Sequence, residues 1–253
     1  MTGRDTSLAD IRREIDAIDD GIVDLLVRRA AAQKKVKANK EAAGGLALSP
    51  VRPAREAEIL RRVVKRAGGN LDPEFLVRLW RQILVTSTLS QAKVKVHAAR
   101  AVVASEKLFG MVAGHFGNMP LVIHGDEASV LAAVVGSTGD LAVFETTGGW
   151  VSRFAERAAG QARILGALPI IDMNGMPPLL LAGHAEAAPS ADDCTLLISR
   201  QAPHAIARWS AAAEGMFVTC LEGFLEDEEI AARGYGRPPD IVVAGRFPGQ
   251  IKV

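Results

Sequence analysis

From Ser7 to about Glu41 the apolar residues fall at Leu8, Ile11, Ile15, Ile18, Ile22, Leu25, Ala32 and Val36. That three-four spacing is the signature of a helix with one apolar face. No proline interrupts it, and its one glycine is Gly21. Ser7 suits an N-cap, and Gly44 and Gly45 end the pattern, so the spacing predicts one helix of about 35 residues, roughly 50 Å long. Such a rod outgrows a helical globule of about ninety residues. Its far end must be covered by another domain or another chain, and an intertwined dimer is the expectation.

A second helix is predicted from Pro53 through Glu58, Ile59, Leu60 and Val63 to the stop at Gly68, Gly69 and Asn70, because proline suits a first helical turn and glycine an end. A third opens with Asp72 as N-cap and Pro73, then carries Leu76, Leu79, Trp80 and Ile83 toward about Val94. Beyond about Val96, short apolar runs alternate with helical patterns and glycine-rich turns. Candidate strands are Pro120–His124, Leu141–Phe144, Ile164–Ile171, Leu179–Leu181, Thr195–Ser199, Met216–Cys220 and Ile241–Ala244. Candidate helices are Ala128–Val135, Trp150–Ala159 and His204–Ala213. The chain divides on this reading into an all-helical domain over 1–96 and an α/β domain over 97–253, an α plus α/β architecture.

Composition narrows the partners. The 253 residues, 49% of them hydrophobic, allow two modest domains with real cores, and 30 Lys plus Arg against 29 Asp plus Glu leave no global field to recruit nucleic acid or an anionic membrane. Cys194 and Cys220 form no CxxC knuckle, and His97, His115, His124, His184 and His204 lack metal-ligand spacing, so neither metal nor cofactor is expected. The polar N-terminus and the lack of a run of about twenty apolar residues favour a soluble, cytoplasmic protein.

Chemistry enters where the apolar stripes are interrupted. Four residues after Leu25 stands Arg29, and the next charged residue on that face is Lys40. Eleven positions apart, they differ by only about 20° around the helix and project the same way, about three turns from each other. Buried cations need carboxylates or an anionic ligand. On the third helix the stripe runs on into Ser87 and Gln91, both neutral hydrogen-bonding groups, and the first turn of the second supplies Arg55 and Glu56. Each alone is ordinary: Arg29 as a snorkelling side chain or half of an ion pair, Ser87 or Gln91 as an interhelical hydrogen bond. Lys34, Lys35 and Lys37 read as a solvated face. Together on three helices the interruptions describe a cationic pocket inside a bundle.

The stretches Ile11-Arg12-Arg13-Glu14-Ile15-Asp16, Leu25-Leu26-Val27-Arg28-Arg29 with Lys40, Arg55-Glu56-Ala57-Glu58-Ile59-Leu60 and Ser87-Thr88-Leu89-Ser90-Gln91 resemble the all-helical chorismate mutases over residues 7 to 95. The resemblance implies rearrangement of chorismate to prephenate, a pericyclic reaction that needs no nucleophile, metal or proton transfer and is catalysed by folding the substrate and stabilising charge. It implies that Arg29 holds one carboxylate and that Arg12 reaches the other across a homodimer interface. Lys40 and Gln91 would donate to the ether oxygen, Glu56 would accept from the ring hydroxyl, and Ser87 and Arg55 would complete the contacts. Where the family usually carries an aspartate, three residues before the arginine of its Arg-Glu signature, this chain has Arg52.

Residues 100 to 253 distantly resemble a prephenate dehydratase region with a periplasmic-binding-like fold, through His115-Phe116-Gly117, Asp126 to Val135 and Gly139-Asp140-Leu141-Ala142-Val143. Its Thr-Arg-Phe motif is replaced by Cys194-Thr195-Leu196, so a scaffold or binding module without dehydratase activity is expected. The rival readings are an isochorismate pyruvate-lyase on the same helices and a non-catalytic dimerisation or regulatory module of the shikimate branch.

Overall fold

The computed structural model describes residues 7–42, 51–203 and 207–253, without the side chains of 37 and 40–42. The first helix, α1, covers Leu8–Ala42, and Ser7 stands before it with its hydroxyl bonded to Asp10. The helix is as long as its stripe predicts. Its apolar residues Leu8, Ile11, Ile15, Ile18, Ile22 and Leu25 are all exposed.

α2 spans Pro53–Ala67 and α3 spans Pro73–Leu89. Both start at the proline that the sequence marks. Gly68 in the left-handed conformation closes α2, and the Asp72 carboxylate caps α3 by accepting from the Glu74 amide. Arg52 occupies the N-cap of α2 and makes no side-chain cap, as a side chain with no acceptor must. α3 stops earlier than expected, at Leu89, so Gln91 lies beyond the helix rather than on its face.

The buried face of α3 is also turned from the predicted one. Val77, Arg81, Leu84, Val85 and Thr88 join Leu76 and Ser87 inside, while Leu79 is exposed and Trp80 and Ile83 are half-buried. α3 has two apolar faces, and the chain's own interior uses the one that includes Arg81. Leu60 of α2, Val77 and Leu84 of α3 and Ile251 form one small core, and Val85 reaches the core beneath the first sheet.

That first sheet contains β1 (Val96–Ala99), β2 (Leu121–His124), β3 (Leu141–Glu145), β4 (Arg163–Leu168) and β5 (Leu179–Gly183), in the order β2-β1-β3-β5-β4. β1 is parallel to both neighbours, and β5 is antiparallel to both of its own. Around it lie α4 (Arg100–Ala104), α5 (Glu106–Phe116), α6 (Glu127–Val135) and α7 (Trp150–Ala155). The second sheet, β7-β8-β6-β9, is antiparallel throughout and is made from β6 (Asp193–Ser199), β7 (Trp209–Ala213), β8 (Met216–Glu222) and β9 (Ile241–Pro248), with α8 at Asp227–Ala232.

The sheets meet where β4 and β9 pass so closely that a Cβ on Gly245 would lie 2.1 Å from the Ile164 carbonyl oxygen. Phe144, Ile164, Leu180, Leu196, Ile198 and Phe247 fill the space between them with Trp150 and Phe154.

One predicted element needs correction. The predicted helix His204–Ala213 is a strand over its described end, Trp209–Ala213, paired to β8, while residues 204–206 lie outside the described residues. Alanine favours helix, but three alanines on an edge strand gain more from the ladder with β8. Elements β1, α4, α5 and α8 were not anticipated. By compactness the chain divides into Met1–Leu46 and Ala47–Val253, and α2 and α3 belong to the second unit. No described helix is long and apolar enough to cross a membrane.

Candidate active site

The candidate residues fall into both units. Arg12, Arg29 and Lys40 lie on α1. Arg12 is exposed and Arg29 half-buried, and desolvation lowers the Arg29 pKa from its ordinary value. Lys40 belongs to the helix, but its side chain is outside the described residues. By helical rise Arg29 and Lys40 stand about 16 Å apart along the axis, and Arg12 about 25 Å on the other side of Arg29.

Within the second unit, Glu56 and Ser87 are placed by α2 and α3. Glu56 accepts, through Oε2, a hydrogen bond from Nη1 of Arg81. Both side chains are largely withdrawn from water, so this is a buried ion pair, and Arg81 also donates through Nε to the His115 carbonyl at 3.1 Å. Oε1 of Glu56 has no hydrogen bond among the described residues and can accept one. Arg55 points elsewhere, paired with Glu58 at 2.9 Å on an exposed surface. Ser87 is buried and donates to the Ile83 carbonyl at 2.6 Å. Gln91, past the end of α3, donates through Nε2 to the Ser87 carbonyl at 3.2 Å, which leaves its second amide N–H available.

Arg81 is the residue the sequence reading passed over. The rule that selected Arg29 finds it too: Val77 and Val85 flank it four positions either way, so it interrupts an apolar row. Arg61 was also missed. It ties α2 to the sheets through Ser190 Oγ (2.8 Å), the Asp192 carbonyl (2.5 Å) and the Gly249 carbonyl (2.9 Å).

The α/β region brings together groups that sequence spacing scatters. His97 Nδ1 lies 2.8 Å from His124 Nε2, and His97 Nε2 lies 3.3 Å from Asp140 Oδ2. Burial and the nearby His97 lower the His124 pKa. For Asp140, burial acts upward but is outweighed by the Lys95 amide and His97, so its pKa is lowered. No group of three metal-ligating side chains occurs among the described residues. An internal carboxylate fills the turn at Gly148 and Gly149: Glu127 accepts from the amides of Glu145 (3.0 Å) and Trp150 (3.2 Å), and a Cβ on Gly148 would lie 2.1 Å from it. Burial still raises its pKa on balance. Thr195 is wholly buried, donating to the Gly223 carbonyl at 2.7 Å and accepting from the Leu225 amide at 3.0 Å.

Residues 11–92 match the family model of chorismate mutase type II. The bifunctional chorismate mutase/prephenate dehydratase of Pseudomonas aeruginosa is 32% identical over 112 residues, which is 43% of this chain and 30% of that protein. The protein of the same description from Stutzerimonas stutzeri matches to the same extent. The match thus spans under a third of the length of these curated relatives. A solved structure described as GqqA, a novel type of quorum quenching acylases, superposes with a TM-score of 0.43 and 13% identity over 62% of this chain and 95% of its own. Residues 11–92 of this chain are thus similar to chorismate mutase type II, and a sheet-containing α/β region follows them.

Proposed function

We propose that the chain is a chorismate mutase that converts chorismate to prephenate as a homodimer, with a functional boundary near 96/97. The observation that carries this reading is the family match over residues 11–92 together with the polar residues retained along it: Arg12, Arg29, Lys40, Glu56, Ser87 and Gln91. Chorismate is a dicarboxylate, and its rearrangement moves electrons around a six-membered cyclic array while the ether C–O bond breaks and a C–C bond forms. The protein supplies geometry and charge.

Arg29 grips one carboxylate in a charge-assisted fork, and Arg12, one face away on the same helix, reaches the second carboxylate from the partner chain. Lys40 and Gln91 donate to the ether oxygen, where negative charge grows, and donors so placed typically contribute a few kcal/mol each. The unengaged oxygen of Glu56 accepts from the ring hydroxyl while Arg81 fixes the carboxylate. Ser87 makes an outer contact, and Arg55 joins it by leaving its exposed pairing with Glu58. A homodimer gives the apolar stripe of α1 a partner, since each isoleucine taken out of water contributes about 1.5–3 kcal/mol.

In the α/β region the hydroxyl of Thr195, the one in the segment that stands in for the dehydratase motif, is committed to the protein's own backbone. This supports a region that does not dehydrate prephenate. The test is kinetic: Lys40→Ala and Arg29→Ala each lower kcat/KM for chorismate at least a hundredfold and leave the dimer intact. Losses below fivefold would remove the proposed site.

A further inference from the structure

A cavity of about 740 Å³ opens between α3, α5 and the segment 168–173, all within the second compact unit. That volume lies in the range of small-molecule sites. Its walls are mainly apolar, from Val77, Met111, Leu168, Ile170 and Met173. Gly110 and Gly114, four positions apart on α5, also line it. A Cβ on either glycine would meet nothing within 4 Å, and neither has a positive φ. Inside a helix each glycine costs about 1 kcal/mol relative to alanine, and here neither a turn nor a close approach requires it. Room in the cavity is what they provide.

His115 lines the cavity next to them. Its side chain is nine-tenths buried, and among the described residues no hydrogen bond to its ring nitrogens is found. Desolvation first, and the Arg81 charge second, hold the imidazole well below its usual pKa, so near pH 7 it is neutral, with one nitrogen donating and one accepting. The ring can therefore take a hydrogen-bond partner from a molecule in the cavity. The surrounding charges cancel: Arg81 is paired with Glu56, Arg78 with Glu74 at 2.6 Å, and Glu106 stands beside Lys107 on the rim. Nothing there recruits a charged molecule.

We infer that this cavity binds a small uncharged molecule with a ring-sized apolar body and one hydroxyl, of the phenol class, whose hydroxyl donates to the unprotonated nitrogen of His115. The site does not depend on the mutase reading, whose ligand is a dicarboxylate. It is tested on the full chain with p-cresol as probe and p-toluate, its carboxylate counterpart, as comparison. The expected result is saturable p-cresol binding by calorimetry with a shift of the His115 imidazole resonances, and p-toluate binding at least tenfold weaker. Gly114→Leu, which puts a side chain into open space, weakens p-cresol at least tenfold with unchanged far-ultraviolet circular dichroism and no loss of Tm. Gly110→Leu gives the same result should the first variant fail to fold. The inference is overturned by absence of saturable p-cresol binding, by p-toluate binding as tightly, or by undiminished p-cresol binding in a folded glycine variant.

Discussion

Arg81 shows what one residue can decide. Buried with Glu56 and bonded to the His115 carbonyl, it links α2, α3 and α5, and removing it leaves a carboxylate stranded out of water. Arg81→Met is expected to destabilise the fold by about 3–5 kcal/mol in denaturant titration. A change below 1 kcal/mol would mean that Glu56 is solvated after all. His115 adds a dependence on pH. Its folded pKa lies below the unfolded value near 6.5, so between those two values the unfolded chain binds the extra proton. Stability from this group is complete above about pH 7 and falls as the pH drops below 6.5. Arg81, Lys107, Glu74 and Glu106 share its cavity. The lowered carboxyls of Asp172 and Asp140 act in the same direction only at more acidic pH. Replacing His115 by asparagine should flatten the stability profile between pH 7 and 5, and an unchanged slope would assign it elsewhere. At this scale Arg29 and Ser87 could be picked from the sequence because each breaks an apolar stripe, and Glu56 because it stands in the first turn of the second helix. Arg81 obeys the same rule but lies on the second apolar row of α3, which the row through Leu76, Trp80 and Ile83 masks in the sequence. The His97–His124–Asp140 contacts could not be read at all, since they exist only through the parallel pairing of β1 with β2 on one side and β3 on the other.

Among the elements, α1 carries the least intramolecular support for its apolar face. Its 35 residues keep Ile11, Ile15, Ile18 and Ile22 exposed, and an exposed apolar row of that length marks an interaction surface. Under the dimer proposal, the double substitution Ile15→Asp, Ile22→Asp yields a monomer by sedimentation velocity, with the second unit still folded by near-ultraviolet circular dichroism. A dimer that persists would place the interface elsewhere. The helical elements were legible because their signals are strong and local: a long uninterrupted period for α1, proline and glycine punctuation for α2, an aspartate cap for α3. The errors have physical causes. β7 contains three alanines and takes its strand conformation from its pairing with β8. β1 is four residues long and held by neighbours on both sides. α3 ends at Leu89, with the Ser90 and Gln91 side chains bonding back to the Ser87 carbonyl, a local competition that helical periodicity does not reveal.

For the whole molecule, the passage from a helical region to a sheet-containing one was readable as a change of texture near residue 96, and by compactness α2 and α3 group with the second unit. The cause is the turned face of α3, which buries Val77, Leu84 and Val85 against the C-terminal Ile251 and the first sheet. The relatives matched by this chain are described as bifunctional chorismate mutase/prephenate dehydratases. With Thr195 spent on backbone partners, prephenate supplied to the purified chain is expected to persist without phenylpyruvate appearing. Enzyme-dependent phenylpyruvate would refute that reading of residues 97–253. The most direct test of the central claim is to follow chorismate absorbance on addition of the purified full chain and to identify the product. The expected result is catalytic loss of chorismate with prephenate as the sole product and, because Gln91 does not titrate, a rate that holds from pH 6 to 8. No loss at micromolar protein, or conversion of isochorismate to salicylate and pyruvate in its place, would contradict it.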